Sequence, residues 1–261
     1  MISKEHQLFL RKRKKEKVLI NIIKIIIILL FLTFWELGAK YGILNKFLSS
    51  SPSLVLKTII SLFKNNDLTS HILVTLYETI ISFSLSSIIG ILIASILWSN
   101  KFIAKVLDPY LTVLNSLPKV SLGPLIIIWI GANTNSIIFM AILISIFTTI
   151  INMYQAFITT DNSKIILLKS FKATKFQIFT KLIFRGNINN LISTLKINIS
   201  LSLIGVIMGE LLVSKKGLGY LITYGSQVFN LNLVITSIFV LGIISYILYL
   251  IIDIIEKKAN E

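Results

Sequence analysis

The sequence predicts an all-α polytopic membrane protein with about six transmembrane helices. Three observations carry that prediction. Apolar residues make up 55% of the chain and charged residues only 14%, with a mean hydropathy of +0.86, more than a water-soluble core requires. Several apolar runs approach about 20 residues, the length that crosses a hydrocarbon core roughly 30 Å thick. The cations behind the net charge of +15 sit in blocks between those runs, which fits a membrane surface and not a nucleic-acid partner.

The first span runs from about Val18 to Ala39, behind a basic segment, 1–17, that holds seven cations. The run is too long for the apolar part of a signal peptide, so it reads as an uncleaved span with Trp35 and Tyr41 at the far interface. Residues 42–70 read as a loop. Inside it Ser51-Pro52-Ser53 signals a helix start, with Ser51 or Ser53 as cap and Leu54, Ile59 and Phe63 on one face. The second span, Ile72–Trp98, contains Glu78 and a face of Ser82, Ser86, Gly90 and Ala94 at four-residue spacing. Small residues so spaced favour close packing, within the bundle or between two subunits. The short stretch SNKFIAK is a turn that returns the chain.

The third span, Leu107–Ile130, holds Pro109, Pro118, Gly123 and Pro124 and reads as kinked or broken. Each interior proline removes a backbone bond and clashes with the preceding turn. Asn133–Asn135 is a tight turn, and Ile137–Phe157 is the fourth span. A basic loop leads to the fifth, about Ile188–Val213. Ser214–Leu231 is a second polar loop, where Gly217-Leu218-Gly219 reads as a flexible turn, and Leu233–Ile255 is the sixth span. Cation counts orient the chain. Segments 1–17, 99–106, 160–187 and 256–261 hold 17 cations and the opposite loops six, so both termini and the basic loop are expected in the cytoplasm.

No catalytic constellation stands out. There is no Cys, the two His are far apart in sequence, and no phosphate-binding GxxxxGKS/T run occurs. No cofactor, metal site or bound ATP is therefore expected on this chain. Ionisable residues at membrane depth are costly and so are candidates for function. Lys119 follows the Pro118 break, Glu78 lies in the first third of its span, and Glu210 lies near the outer end of the fifth. Lys119 reads either as a cation lining the path of an anionic solute or as a long side chain reaching an interface. Glu78 and Glu210 read as path residues, or as interfacial or ion-paired groups.

The stretch Asp161–Arg185 carries six cations against one acid. Ile165, Leu168 and Phe171, then Phe176, Phe179 and Ile183, recur at helical spacing, giving one or two short amphipathic helices. Two uses fit: a loop held on anionic lipid, or a docking helix for a soluble partner. The run SFKATKFQIFTKLIF, Ser170–Phe184, resembles the cytoplasmic coupling loop of ABC importer permeases. IGVIMGELLVSKKGLGYLI, Ile204–Ile222, and LPKVSLGPLIIIWIG, Leu117–Gly131, resemble the nitrate/sulfonate/taurine branch of that family. Its members for thiamine-precursor pyrimidines are also similar. The likeness spans roughly Ser51 to Lys257. The loop departs from the family pattern: the glutamate-alanine-alanine falls on Ile166, Leu167 and Leu168, the glycine on Lys172 and the closing proline on Arg185.

The resemblance implies a single permease domain over 18–257, with a type-1 core at about 71–255 and a coupling loop at 160–187. It implies a multi-pass protein of a bacterial plasma membrane that works as a homodimer. A cytoplasmic ATP-binding subunit and an extracytoplasmic solute-binding protein would be its partners, in an importer for a small polar or anionic solute. ATP hydrolysis would belong to the separate ATPase. Ser170, Phe171, Lys172, Ala173, Thr174, Phe176 and Gln177 would meet that ATPase, with Phe171, Ala173 and Phe176 as anchors. A secondary transporter or channel is the alternative, and a non-transporting scaffold a second. The absence of an internal repeat and the long basic loop count against the first, and the broken third span and the buried charges against the second.

Overall fold

The computed structural model describes residues 4–65 and 67–259, nearly all of them helical. In chain order the helices are α1 (Lys4–Lys40), α2 (Lys46–Ser49), α3 (Pro52–Lys64), α4 (Asp67–Ser99) and α5 (Lys101–Ser116). A 3₁₀ turn, Lys119–Leu122, leads to α6 (Gly123–Ile130) and α7 (Thr134–Ile158). Then come α8 (Asn162–Ser170), α9 (Lys175–Ile178), a π turn over Phe179–Phe184, α10 (Ile188–Val213), α11 (Leu218–Gln227) and α12 (Leu231–Ala259). In a bilayer every backbone polar group must find its partner inside the protein, and helices do this span by span.

The long helices of the centre, α4, α7 and α10, pack through small residues. The four-residue face on α4 is buried within the bundle: Ser82, Ser86 and Ala94 are inaccessible, and Gly90 faces Thr149 of α7. On α10, a Cβ at Gly205 would fall 2.5 Å from the Ala141 Cα, and one at Gly209 would fall 3.0 Å from the Ile137 Cα. Apolar surface gives little drive for association in lipid, so close backbone contact and hydrogen bonds supply it. One such set joins α4 to α10: Asn198 Nδ2 donates to Ser87 Oγ at 2.7 Å, and Ser86 Oγ donates to Asn198 Oδ1 at 3.2 Å.

These contacts fix helix directions. Gly90 meets Thr149, and Ala94 shares a cluster with Met153 and Phe157, so α4 and α7 run parallel. The chain between them must cross the membrane once. That crossing is α5 and α6 together, bent by 83° where they meet. Counting it, the described residues hold six spans. The break falls at Leu117-Pro118, and Pro109 sits inside an unbroken α5. Pro109 is the ninth of the sixteen residues of α5, so it removes the bond to the Lys105 carbonyl without ending the helix.

Elsewhere the structure is more ordered than the sequence indicates. The expected SNKFIAK turn is a single non-helical residue, Asn100, whose side chain caps α5 through Phe102 and Ile103 N–H. The expected loop 42–70 holds α2, α3 and the start of α4. Ser51 is the cap of α3; Val55 is its buried residue, while Phe63 is exposed. The second polar loop folds as α11. α1 is apolar and exposed through most of its length, the signature of a lipid-facing helix. It is held at one end, where Trp35 Nε1 donates to the Ser49 carbonyl and Glu36 accepts from Ser53 N and Oγ at 3.0 and 2.9 Å. At the far end of the bundle Lys196 of α10 pairs with Asp253, at 2.7 Å, and with Glu256 on α12.

Gly205→Leu drives a side chain into the α7 backbone, which cannot give way. Overpacking of this kind costs about 1–3 kcal/mol, so the thermal midpoint in detergent should fall by several degrees. Gly242→Ala, where nothing lies within 4 Å of the new Cβ, should leave the midpoint unchanged or raise it. Equal midpoints for both variants would contradict the glycine contact.

Candidate functional site

The first structural feature is the start of α11. A helix begins with unpaired N–H groups, and here three consecutive ones are taken by side chains of two other helices. Gly217 N donates to His71 Nδ1 at 2.9 Å, Leu218 N to Thr75 Oγ1 at 2.9 Å, and Gly219 N to a Glu210 oxygen at 2.6 Å. Thr75 Oγ1 in turn donates to the other Glu210 oxygen at 2.6 Å. Gly217 has φ +112°, a conformation only glycine adopts easily, and a Cβ there would overlap the Glu210 carboxyl. A Cβ at Gly219 would lie 2.7 Å from Glu210 Cβ. The Gly-Leu-Gly run is thus clamped, contrary to its reading as a flexible turn, and Leu218 between the glycines is fully buried.

Glu78 lies beside Glu210, on α4, one turn from Thr75. Both glutamates are 1% exposed, neither forms an ion pair among the described residues, and Glu78 faces Glu210 and the Thr134 side chain. Burial at this level leaves neither side chain reaching an interface from its helix. The structure brings them together from positions 132 apart; it does not bring Lys119 to them.

Lys119 stands in the 3₁₀ turn at the break. Its Nζ donates to the Asn115 carbonyl at 2.7 Å and lies 5.7 Å from the centre of the Phe147 ring. Phe147 is at the midpoint of α7, so the ammonium sits beside the middle of that helix. No carboxylate pairs with it among the described residues. Asn115 also accepts from Thr148 Oγ1 at 3.3 Å, making a small polar group where the helix is interrupted. Irregular backbone within a span requires protein or a water-filled path around it.

The basic loop lies at the end of the bundle opposite the glutamates. α8 ends in a Schellman motif: Ala173 N donates to the Leu168 carbonyl at 3.0 Å and Lys172 N to the Lys169 carbonyl at 2.8 Å. That motif places Lys172 at φ +56°. Thr174 and Gln177 form a reciprocal capping box that starts α9. Phe179 then packs its ring against Trp98 of α4 and Phe157 of α7, with centroids 5.2 and 5.4 Å apart. Asn187 Nδ2 closes the loop by donating to Thr160 Oγ1 at 2.8 Å. The amphipathic division differs from the expected one. Ile165, Leu168, Ala173, Phe179 and Ile183 face the bundle, whereas Phe171 and Phe176 are 73% and 75% exposed. Ser170 and Lys172 are exposed beside them.

Sequence reasoning singled out Glu78, Glu210, Lys119 and the loop. It missed His71 and Thr75, because their roles arise only when α4 meets α11. The quoted run Ile204–Ile222 did hold Glu210 and both glycines at the spacing that lets the carboxylate fold back on the turn.

A family model described as "binding-protein-dependent transport system inner membrane component" matches residues 86–260. The chain is 28% identical over 230 residues to a probable ABC transporter permease protein of Haemophilus influenzae, covering 88% of this chain and 93% of that protein. It is 28% identical over 192 residues to the formylaminopyrimidine transport permease ThiX of Halalkalibacterium halodurans, covering 74% and 76%. It is 22% identical over 227 residues to a putative aliphatic sulfonates transport permease, SsuC, of Bacillus subtilis, covering 87% and 82%. Among solved structures, an inward-facing MetNI methionine ABC transporter chain superposes with a TM-score of 0.66 at 17% identity, covering 74% of this chain and 96% of that one. At that identity the likeness concerns the fold.

Glu210→Ala leaves Gly219 N–H and Thr75 without their acceptor, at a cost of about 1–3 kcal/mol. The start of α11 should then open more often. In this Cys-free chain, a cysteine placed at buried Leu221 should react with a thiol reagent roughly tenfold faster in the Glu210→Ala background. An unchanged rate would show that the cap does not hold α11.

Proposed function

We propose that this chain, which belongs to the family of binding-protein-dependent transport system inner membrane components, is the permease of an ATP-driven importer for a small polar or anionic solute. It would pair with a second copy to form the path. A solute-binding protein would deliver from outside, and an ATPase would dock on the cytoplasmic loop 160–187. The observation that carries this is the build of the loop. It is rigid, closed at its base and clamped to α4 and α7, yet it displays two aromatic rings that its own fold leaves uncovered. Exposed aromatics on a fixed platform suit a protein contact, since buried aromatic anchors dominate such interfaces.

The mechanism follows from that connectivity. When ATP closes the ATPase pair, the docked loops move with it. The Phe179 cluster passes the motion to α4 and α7, and the Asn187 link passes it to α10. The three central helices are too closely packed to shear freely, so the bundle switches as a body between inward- and outward-open states. The excess of cations on the loop side, 17 against six, supports a cytoplasmic loop, both termini inside and the capped α11 outside. Lys119 supports an anionic or polar solute: it offers a positive charge beside the middle of α7, at the helix break. The relatives carry names for different solutes, so the solute is proposed only as a class.

Ala173 was expected to anchor the ATPase, but it packs partly inward against the loop's apolar cluster, so the test rests on Phe171 and Phe176. Each lost aromatic anchor costs about 2 kcal/mol or more. Phe171→Ala with Phe176→Ala should thus lower copurification of the ATPase about a hundredfold or more, with the permease's thermal midpoint unchanged. Lys172→Gly should raise that midpoint slightly, since a non-glycine residue in the left-handed region costs about 1–2 kcal/mol. Undiminished copurification of the double variant would remove this loop as the coupling element.

Lys119→Gln keeps the hydrogen bond to Asn115 and removes the charge. Loss of a charged contact in a low-dielectric path costs about 2–5 kcal/mol. Uptake at limiting solute should therefore fall at least about tenfold, with ATPase association intact. Unchanged uptake would place Lys119 off the solute's route.

A further inference from the structure

Behind the loop, on the side away from Phe171 and Phe176, lies a cavity of about 550 Å³. The end of α4, the Asn100 break, the start of α5, and α8 and α9 enclose it. Its lining includes Lys101, Lys169 and Lys175, with Asn100 and Asn162, against Trp98. No carboxylate is among the lining residues, and none of the three lysines forms an ion pair among the described residues. A neighbouring cavity of about 380 Å³ shares Trp98, Lys101 and Asn162 and adds Lys105. Three exposed lysines border one volume with no carboxylate in its lining, so the potential there is positive. That arrangement favours a bound anion.

We infer that this cavity binds the headgroup of an anionic phospholipid. Three features favour a lipid over a free phosphate. The site is at the level where α4 leaves the membrane and α5 enters it, so it faces the headgroup layer. Trp98 gives its wall the amphipathic side chain typical of a membrane–water boundary. At its edge Phe102, 76% exposed, begins a track with Val106 and Tyr110, exposed at four-residue spacing up α5, along which an acyl chain can lie. The volume is that of an ordinary ligand pocket. The loop's two faces then have different partners: lysines of the inner face take the lipid, and aromatics of the outer face take the ATPase. Bound lipid would tie α8 and α9 to the α4–α5 elbow. This rests on the cytoplasmic placement of the loop, because anionic headgroups and polybasic segments meet on that leaflet.

The test is a titration of the full-length permease in neutral detergent, followed by native mass spectrometry. Dioleoylphosphatidylglycerol should bind saturably, one molecule per chain, and the corresponding phosphatidylcholine much more weakly. Each lysine near a headgroup contributes roughly a fivefold gain in affinity, so Lys101→Gln, Lys169→Gln and Lys175→Gln together should weaken binding about a hundredfold. Three Lys→Arg changes at the same positions should retain it, which guards against a folding defect. A control with Lys164→Gln, Lys181→Gln and Arg185→Gln, all exposed and outside the cavity, should bind like the unaltered chain. Equal loss in both Gln sets would mean diffuse surface attraction and overturn the proposal. Displacement of the lipid by inorganic phosphate would mean a soluble-anion site and overturn it too. So would a lining variant that keeps its lipid but loses the ATPase, because the cavity would then hold an acidic side chain of that partner. The readout needs no uptake. Loss of ATPase contact in the aromatic variants and loss of lipid in the lysine variants can therefore fail independently.

Discussion

Gly205 and Gly209 bring α10 against the backbone of α7, and the arrangement of the other helices depends on that contact. In lipid, apolar side chains gain little by leaving one environment for a similar one. Dispersion at short range and internal hydrogen bonds must do what the hydrophobic effect does in water. The chain meets this by reserving one face of α4 for Ser, Gly and Ala and by setting Asn198 across from Ser86 and Ser87. Once α4, α7 and α10 are fixed, α12 is held by Lys196 and its two carboxylates, and the bent crossing is left as the irregular wall of the bundle.

Each end of this core carries a polar device. At one end Glu210 and Thr75 supply acceptors to the start of α11, with His71 completing the set. A buried carboxylate is costly unless donors reach it, and here they are the Gly219 N–H, which would otherwise be unpaired itself, and the Thr75 hydroxyl. Each need answers the other, which explains why two glycines are required: the backbone has to come within hydrogen-bonding distance of a carboxylate. At the opposite end the loop is stiffened by a Schellman turn, a capping box and a π turn in succession. The proposed docking of an ATPase would use such stiffness, because a compliant loop would absorb a partner's motion.

Lys172 shows how a departure from a family pattern acquires a physical meaning. The resemblance set a glycine at this position; the fold gives the reason, which is a left-handed backbone at the end of α8. A lysine there accepts strain and adds a cation to a surface that already holds several. The backbone course survives because Ala173 and Lys172 still close the turn with their two N–H groups.

The sequence by itself determined the spans and their order. Apolar runs of membrane length and blocks of cations are local properties, and the fifth span was read at Ile188–Val213, as it is found. It also marked Glu78, Glu210, Lys119 and the loop, because charge in an apolar run is conspicuous in one dimension. It did not determine which turns were real. Asn100 is one residue long as a break, Pro109 does not interrupt its helix, and Gly217-x-Gly219 is clamped rather than free. Those outcomes depend on caps and on partners more than a hundred residues away, such as Thr75 for Leu218. Helical periodicity likewise grouped Phe171 and Phe176 on one apolar face with Ile165, Leu168, Phe179 and Ile183. The short α8 and α9 are separated by a left-handed turn that resets the phase, so only the tertiary structure decided which rings face the bundle and which are left for a partner.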